Sequence, residues 1–461
     1  MASPQLNIRQ GTVGPPAQGL AEHLGRTARL AAPVVVSRMG MLVLVSVDTM
    51  MTGLHASNEL AYLALGSAPM VMLLLLGVGM LMGTAVMTAQ AWGAEEYGRC
   101  GAIWRVGLKH ALGIGIVWGV ICLFGEFFYA AIGQEADLAA GAGRVLATFA
   151  WQMPALLLYV VTTMFLEALN RPLPGLVVMV VVNILNIGLN HVLIGGGFGV
   201  PAMGAVGAVA ATGILRWLAA ILLILYVLTM AGRDRYGIFA PSGEIAELGR
   251  SLRRIGYPMA LAQGSETAAF MMIMIFAGYL GTETTAAYQI CINLLSLAFM
   301  AAVGTGAATG IRVGNAVGRR DPRGMAIAGW AGLFLNGIVT LLLSVVFLTL
   351  PDRLAGFYSA DPALLAVAVP AVFLCAFVLI PDGAQGVLIG ALRGAGDVWV
   401  PLVMQVTAFW LLTVPIAAYM CFVVESGARG LVMSILPGVI VATLLGALRF
   451  HYVTKRGGRR I

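Results

Sequence analysis

Charged side chains are scarce in this sequence: they make up 10% of its 461 residues, while 60% of the residues are hydrophobic. An average soluble domain has about a quarter charged residues. With a mean hydropathy of +0.93, the chain lacks the polar surface that a water-exposed fold requires. It also lacks any long polar segment that could form a separate soluble domain. We therefore predict an all-α membrane protein with many spans.

Several chemical motifs are also missing. There is no Gly-rich phosphate-binding loop ending in GKS or GKT, which argues against ATP-driven transport, and no His/Cys cluster or Ser-His-Asp arrangement indicates a membrane enzyme. The cysteines are odd in number and have neither metal-ligand spacing nor a disulfide pattern, so we interpret them as small buried hydrophobic residues. They are Cys100, Cys122, Cys291, Cys375 and Cys421.

Hydropathy predicts twelve membrane-spanning helices joined by short loops. Each apolar run reaches the length of about 20 residues that is needed to cross a bilayer. The predicted spans are residues 28–53, 60–91, 105–131, 143–169, 174–195, 202–230, 257–280, 284–313, 325–350, 362–392, 399–424 and 428–453. Residues 1–27 have no signal-peptide core and are predicted to form an N-terminal tail, and residues 454–461 a basic C-terminal tail.

The basic residues predict the orientation. With the N-terminus in the cytoplasm, the outward loops contain only Arg144, Arg353 and Arg429, and most other Lys and Arg residues face inward. Because positive loops stay cytoplasmic, we expect both termini in the cytoplasm and the chain in the cell inner membrane. The net charge of +7 follows from this topology and does not predict nucleic-acid binding. Residues 231–256 form a cytoplasmic linker with an amphipathic stretch, Glu244–Arg254, which is either a solvated connector or a regulatory or lipid-binding segment.

The two halves of the chain resemble each other. Pro33 and Pro258 open the first and seventh spans at an offset of 225, and Gly93 and Gly318 end the second and eighth spans at the same offset. Residues 167–175 match residues 390–398 at an offset of 223. We therefore predict two six-helix lobes in the same orientation, residues 28–230 and 257–453. Rocking of such lobes about a central cleft gives alternating access, which is typical of a secondary transporter.

Five motifs together resemble the MATE (multidrug and toxic compound extrusion) family, and they cover nearly the whole chain in order. They are VDTMMTG (47–53), YPMALAQGSETAAFMMI (257–273), AAYQICINLLSLAF (286–299), IRVGNAVGRRDPRG (311–324) and QGVLIGALRGAGD (385–397). The resemblance implies two six-helix bundles around a V-shaped cleft. It implies export of small organic, often cationic, compounds in exchange for inward Na⁺ or H⁺, with no cofactor besides this ion. It also implies no obligatory protein partner and a monomer.

Within the family, the chain is most similar to the NorM-like bacterial branch. That branch carries acidic residues in the seventh and tenth spans, and Glu266 and Asp382 stand at the matching positions. Asn190 occupies a fifth-span position where another branch has an aspartate, which favours cation coupling in the C-lobe. Na⁺-linked relatives have an aromatic residue one turn before the tenth-span aspartate. Here Val378 holds that place, so the choice between Na⁺ and H⁺ stays open.

The residues around these carboxylates support an ion site. An ionisable group at mid-membrane costs at least about 2.5–3.5 kcal/mol, so its presence requires a reason. Gln263 lies three residues before Glu266, and Gln385 three residues after Asp382. Because Asp382 follows a proline, we expect local unwinding to add carbonyl oxygens for a hard cation such as Na⁺. The alternatives are a protonated packing residue for Glu266 and a cap at a helix break for Asp382.

The N-lobe has its own polar set. Asp48, in the VDT motif, is predicted to be a proton acceptor or part of a polar network. Asn183, Asn186 and Asn190 share one helix face, either as part of this site or as contacts between helices. Arg38, within the first span, requires a partner, either as a structural ion pair or to tune the site.

Two other classes of function are the alternatives. A lipid-linked-oligosaccharide flippase would share the two-lobe plan, but it should have more basic residues facing the cleft than Arg38 and Arg216. A channel or membrane enzyme would require a filter-like loop or a catalytic cluster. We therefore expect an antiporter in which a cation neutralises Glu266 and Asp382, in competition with a cationic substrate.

Overall fold

The computed structural model describes residues 20–197, 199–241 and 243–461, which are almost entirely helical. The first lobe consists of α1 (Leu20–His55), α2 (Ser57–Gly93), α3 (Tyr97–Leu123), α4 (Gly125–Ala131), α5 (Ala136–Phe149), α6 (Met153–Ala168), α7 (Leu173–Gly195) and α8 (Gly204–Thr229). The second consists of α9 (Ile245–Tyr279), α10 (Thr282–Gly318), α11 (Pro322–Thr349), α12 (Pro351–Gly356), α13 (Pro362–Gly394), α14 (Trp399–Val406), α15 (Val414–Phe422) and α16 (Gly427–Arg456). A 3₁₀ turn (Ala150–Gln152) joins α5 to α6, and a π-helical turn (Thr407–Thr413) joins α14 to α15.

Twelve helical stretches in the described residues are long and apolar enough to cross a membrane, as predicted. The boundaries differ most in three places. Helix α1 begins at Leu20, inside the predicted tail, of which residues 1–19 lie outside the described part. The third span is residues 97–123, and α4 follows it as a separate short helix. Helix α9 begins at Ile245, so the predicted amphipathic stretch belongs to the seventh span.

The early start of α9 has a packing cause. Leu248, Leu252 and Ile255 are buried on one side of its first turns. A Cβ atom added to Gly83 of α2 would lie 2.8 Å from the Leu252 carbonyl oxygen, so the backbones of the two helices almost touch. This apolar face packs on the first lobe, and that contact keeps the segment helical beyond the apolar run from which the span was predicted.

The two lobes meet closely at the C-terminal ends of α2 and α10, on the side of the molecule where α1 begins and α16 ends. Gly93 and Gly318, the pair related by the repeat, lie against each other. A Cβ atom on Gly93 would lie 2.0 Å from the Asn315 carbonyl oxygen, and one on Gly318 would lie 2.1 Å from that of Gln90. The duplicated glycine is therefore required at both positions, because backbone packs on backbone here. We call this region the terminus side.

Residues 457–461 bridge the lobes on the terminus side. The Arg459 amide donates to the Ala395 carbonyl of the second lobe at 2.8 Å. In the first lobe, the Gln90 side chain donates to the Arg459 carbonyl at 3.2 Å and accepts from the Ile461 amide at 2.9 Å. Arg460 forms an ion pair with Glu96 and lowers the pKa of that carboxyl. The segment thus bonds to both lobes at once, and we call it the tail clasp.

Candidate functional site

Asp48 is the centre of a buried hydrogen-bonded cluster in the first lobe. Its Oδ1 accepts from the side-chain amides of Asn190 at 2.7 Å and Asn186 at 3.1 Å, and its Oδ2 accepts from the Thr212 hydroxyl at 2.6 Å. All four residues are buried. Helices α1, α7 and α8 therefore converge on this carboxylate, and we call these residues the Asp48 cluster.

The stripe of asparagines on α7 is only partly used by this cluster. Asn186 and Asn190 lie four residues apart and bond to each other at 3.2 Å. Asn183 donates to the Met179 carbonyl of its own helix at 2.8 Å, and the structure places it outside the cluster. The Asn190 Oδ1 is buried and has no hydrogen-bond partner among the described residues. The cluster therefore retains one free acceptor.

Arg38 forms a buried ion pair with Glu167 of α6. Its Nη2 lies 3.4 Å from both carboxylate oxygens, and the two side chains are only 11% and 4% exposed. The structure thus shows the ion-pair alternative. Glu167 was not singled out by the sequence analysis, although it opens the repeated EALNR motif. Arg216 of α8 donates to the Gln152 side chain at 2.8 Å.

In the second lobe, Glu266 of α9 faces the π-helical turn. The Gln405 side chain donates to the Glu266 carboxylate at 3.0 Å. Within the turn, Trp410 donates to the Ser265 hydroxyl at 2.9 Å. Gln263 lies half-buried nearly one turn before Glu266 on α9. Because π-helical turns widen a helix locally and recur at functional sites, this turn is part of the candidate site.

Asp382 lies on an unbroken helix. Helix α13 continues through Pro370 and Pro381, so the predicted unwinding beside Asp382 is wrong for this structure. Neighbouring hydroxyls stabilise the helix here. Thr443 donates to the Pro381 carbonyl at 2.7 Å, and Ser344 donates to the Ala376 carbonyl at 2.9 Å.

Buried polar atoms without partners occur on two residues close to the Asp382 segment of α13. Neither the Gln385 Oε1 nor the amide oxygen and nitrogen of Asn336 has a hydrogen-bond partner in the described part of the chain. A Cβ atom on Gly383 would lie 2.8 Å from the Asn336 side-chain nitrogen, so Asn336 of α11 adjoins this segment. Buried polar groups are normally satisfied. Unpaired amide oxygens beside a carboxylate fit a bound cation, and we call Glu266, Asp382, Gln385, Asn336 and Gln405 the C-lobe carboxylate site.

The donor set of this site is made of oxygens. No group of three or more His, Cys, Asp or Glu side chains suited to a metal ion occurs among the described residues. Glu266 and Asp382 supply carboxylate oxygens and Gln385 an amide oxygen, which are the ligands that hard cations prefer. These residues therefore fit Na⁺ or a proton better than a transition metal.

The two lobes differ in charge balance. In the first lobe, Glu167 pairs with Arg38, and Asp48 interacts electrostatically with Arg216. In the second lobe, Glu266 interacts electrostatically with both Asp382 and Arg393. Among the described residues an arginine interacts with Glu266 but none interacts with Asp382, so one negative charge is left without a counter-charge when both carboxylates are ionised.

These features define a class: a multi-pass helical membrane transporter with two lobes and carboxylates buried in each. The comparisons then place the chain. The MatE family model matches residues 33–192 and 258–419, once in each lobe and starting at the two repeated prolines. The chain belongs to the MATE family.

Individual relatives agree with this assignment. The chain is 35% identical to a probable multidrug resistance protein NorM of Caulobacter vibrioides, over 93% of this chain and 91% of the relative. It is 30% identical to one of Rhodopseudomonas palustris, over 99% and 97%. The fold matches the crystal structure of the eukaryotic MATE transporter AtDTX14 at 21% identity, with a TM-score of 0.86 and coverage of 95% and 99%. It matches a multidrug resistance MATE family transporter in an outward-facing conformation at 19% identity, with a TM-score of 0.86 and coverage of 97% and 100%.

Proposed function

We propose that the protein exports organic, often cationic, compounds in exchange for inward Na⁺ or H⁺. The observation that carries the proposal is the C-lobe carboxylate site, where Glu266 and Asp382 interact, only Glu266 has an arginine partner among the described residues, and unpaired amide oxygens lie nearby. A buried negative charge without a partner is costly. A cation or proton removes that cost, so the site has a strong preference for the ion-loaded form.

Coupling follows from this preference. A ligand shifts a conformational equilibrium only by the difference in its affinity for the two states. An ion that neutralises Glu266 and Asp382 stabilises the state in which these groups are buried. A cationic substrate is attracted by the same carboxylates, so ion and substrate exclude each other. If the site opens alternately to the two membrane faces and holds either the ion or the substrate but not both, the two are transported in opposite directions, which is antiport.

The state of the lobes fits this cycle. The terminus side is closed by the glycine contacts at Gly93 and Gly318 and by the tail clasp. With the termini in the cytoplasm, as the distribution of basic residues favours, this closure corresponds to an outward-facing state. In such a state the C-lobe carboxylate site would exchange its ligand with the exterior.

The flippase alternative loses support from the first lobe. A pyrophosphate-linked lipid would require arginines that are free to bind phosphate. Arg38 is already paired with Glu167, and Arg216 donates to Gln152. Neither guanidinium is available without breaking one of these contacts.

We also propose that the protein lies in the cell inner membrane and that it is a monomer.

The test is ethidium efflux from proteoliposomes with a Na⁺ gradient and a pH gradient imposed separately. We expect one gradient to drive efflux by the wild type and not by the Glu266→Gln/Asp382→Asn variant. Glu283→Gln, an exposed carboxylate at the start of α10, is the matched control and should behave as the wild type. Gradient-driven efflux by the double variant would overturn the proposal. If neither gradient moves any organic cation of a panel, the multidrug assignment fails and a narrower solute or lipid becomes the substrate.

A further inference from the structure

The internal repeat identifies the first-lobe residues that are equivalent to Glu266 and Asp382 of the second lobe. At the offset of 225, Glu266 corresponds to Met41, and at the offset of 223, Asp382 corresponds to Tyr159. Met41 packs against the hydrophobic core of the first lobe, and Tyr159 is buried in that core. Neither side chain carries a negative charge at neutral pH. The first lobe therefore has no carboxylate at either equivalent position.

A charged pair takes their place nearby. By the same offsets, Arg38 corresponds to Gln263 and Glu167 to Gly390. The first lobe thus has both an acid and a guanidinium where the second lobe has only neutral residues. The pair is buried at 3.4 Å, and Arg38 interacts electrostatically with Tyr159 as well. The pair therefore lies beside the position that is equivalent to Asp382.

We propose that Arg38 is a tethered cation, which holds in the first lobe the position that an exchangeable cation takes in the second. This inference rests on the proposed function. A buried carboxylate requires a positive partner in either lobe. A partner on a side chain cannot leave to either side of the membrane, so Glu167 contributes nothing to ion coupling. The Arg38–Glu167 pair therefore takes no part in ion exchange.

The Arg38–Glu167 pair lies close to the interface between the lobes, where a net charge would hinder their movement. One turn earlier on α1 lies Val35, which packs on the second lobe: a Cβ atom on Gly304 of α10 would lie 2.3 Å from its Cγ2. The pair is therefore close to the surface along which the lobes move. If a net charge appeared here during transport, an ion would have to neutralise it in each transport cycle. The fixed Arg38–Glu167 pair avoids this requirement.

The decisive experiment is ion binding to purified protein, measured with ²²Na⁺ and in parallel as proton release. Glu266→Gln/Asp382→Asn should remove the ion site of the wild type. Adding Arg38→Gln, which copies Gln263, leaves Glu167 without its cation and should restore one ion per molecule. Adding Glu167→Gln as well should abolish this new site. Arg353→Gln, an exposed arginine on α12, is the control and should restore nothing.

The outcomes are distinct. If Arg38→Gln restores no Na⁺ or proton site in protein that stays monodisperse, the tethered-cation proposal is wrong. If the restored site survives Glu167→Gln, Glu167 is not its ligand and the proposal is also wrong. If Glu266→Gln/Asp382→Asn leaves ion binding intact, the proposed function fails first. In that case the gain or absence of one further ion on Arg38→Gln still decides the role of Arg38.

The Arg38→Gln/Glu167→Gln variant provides a second test that does not depend on a protein with a buried unpaired charge being able to fold. It removes both charges together, so no unpaired charge remains buried. With the second lobe intact, we expect this variant to exchange the same number of ions per ethidium as the wild type. That number is read from the gradient at which net flux reverses. A changed number would contradict the proposal.

Discussion

At the scale of single residues, both buried acids among the described residues of the first lobe have partners. Asp48 accepts three side-chain hydrogen bonds, and Glu167 has Arg38. The sequence could indicate Asp48, Asn186 and Asn190, because polar residues within apolar spans are conspicuous. It could not indicate Thr212 or Glu167. Threonine is ordinary in membrane helices, and Glu167 meets Arg38 across 129 positions of sequence.

Thr212→Val tests the Asp48 cluster. The substitution keeps the shape of the side chain and removes both its 2.6 Å hydrogen bond to Asp48 and the 3.2 Å bond that it accepts from Asn186 within the cluster. Because a hydrogen bond to a charged group contributes about 1.5–3 kcal/mol, we expect a clear fall in the thermal unfolding temperature in detergent. Thr229→Val is the control, since that exposed hydroxyl bonds only to its own helix. Equal effects of the two substitutions would show that Asp48 does not depend on Thr212.

At the scale of the elements, hydropathy was sufficient to predict the number of spans but not where each helix begins or whether it is broken. It predicted the spans because each must bury an apolar length in lipid. It missed the true start of α9 because that helix is extended by packing on α2, which only the fold creates. It also predicted a break at Pro381, where α13 is continuous. Hydroxyl donors from α11 and α16 stabilise this helix, and they are distant in sequence from the proline.

The π-helical turn between α14 and α15 carries the next prediction. Gln405 precedes the turn and donates to Glu266 at 3.0 Å, and these residues are 139 positions apart. Gln405→Leu should remove one charged hydrogen bond, at a cost of about 1.5 kcal/mol. We therefore expect about a tenfold change in the concentration of coupling ion that gives half-maximal efflux. Gln289→Leu, an exposed glutamine on α10, is the control. No change with Gln405→Leu would exclude this residue from the ion site.

At the scale of the whole molecule, the duplication produces two lobes of the same architecture and different chemistry. The repeat was visible in the sequence as paired prolines and glycines, and the structure explains the glycines by backbone contact between the lobes. The tail clasp was not visible, since residues 457–461 read only as a basic tail. It joins Ala395 of one lobe to Gln90 and Glu96 of the other, so it must release before the terminus side can open.

Removal of residues 457–461 should therefore open the terminus side more often. Ala89 is fully buried there, in a cluster with Ala308 of the other lobe. A cysteine at this position reports opening by its rate of reaction with a membrane-impermeant thiol reagent. All five native cysteines are buried, which keeps the background low. We expect several-fold faster labelling without the tail clasp. Arg456→Gln, which removes only the stacking on Tyr452, is the control, and identical rates would contradict a closing role.

The ion pair of the tail clasp has a defined pH dependence. Arg460 lowers the pKa of Glu96 from its usual value of 4.5. The contribution of this pair is therefore complete above the usual value and is lost as the pH falls through the lowered one. The labelling rate at position 89 is divided by the rate of the unfolded protein at the same pH, because the thiolate fraction itself changes with pH. This ratio should stay low between about pH 8 and pH 6, since both lie above that window. Glu96→Gln should raise the ratio over the same range, and a wild-type ratio that already rises as the pH falls from about 8 to about 6 would exclude this role for Glu96.

Competition between substrate and ion at the C-lobe carboxylate site can be measured directly. Ethidium binding to purified protein is followed by fluorescence while Na⁺ or proton concentration is raised. We predict that the coupling ion weakens ethidium binding to the wild type and has no effect on Glu266→Gln/Asp382→Asn. Ethidium binding that is unaffected by either ion in the wild type, or equally weakened in both proteins, would contradict the assignment of coupling to Glu266 and Asp382.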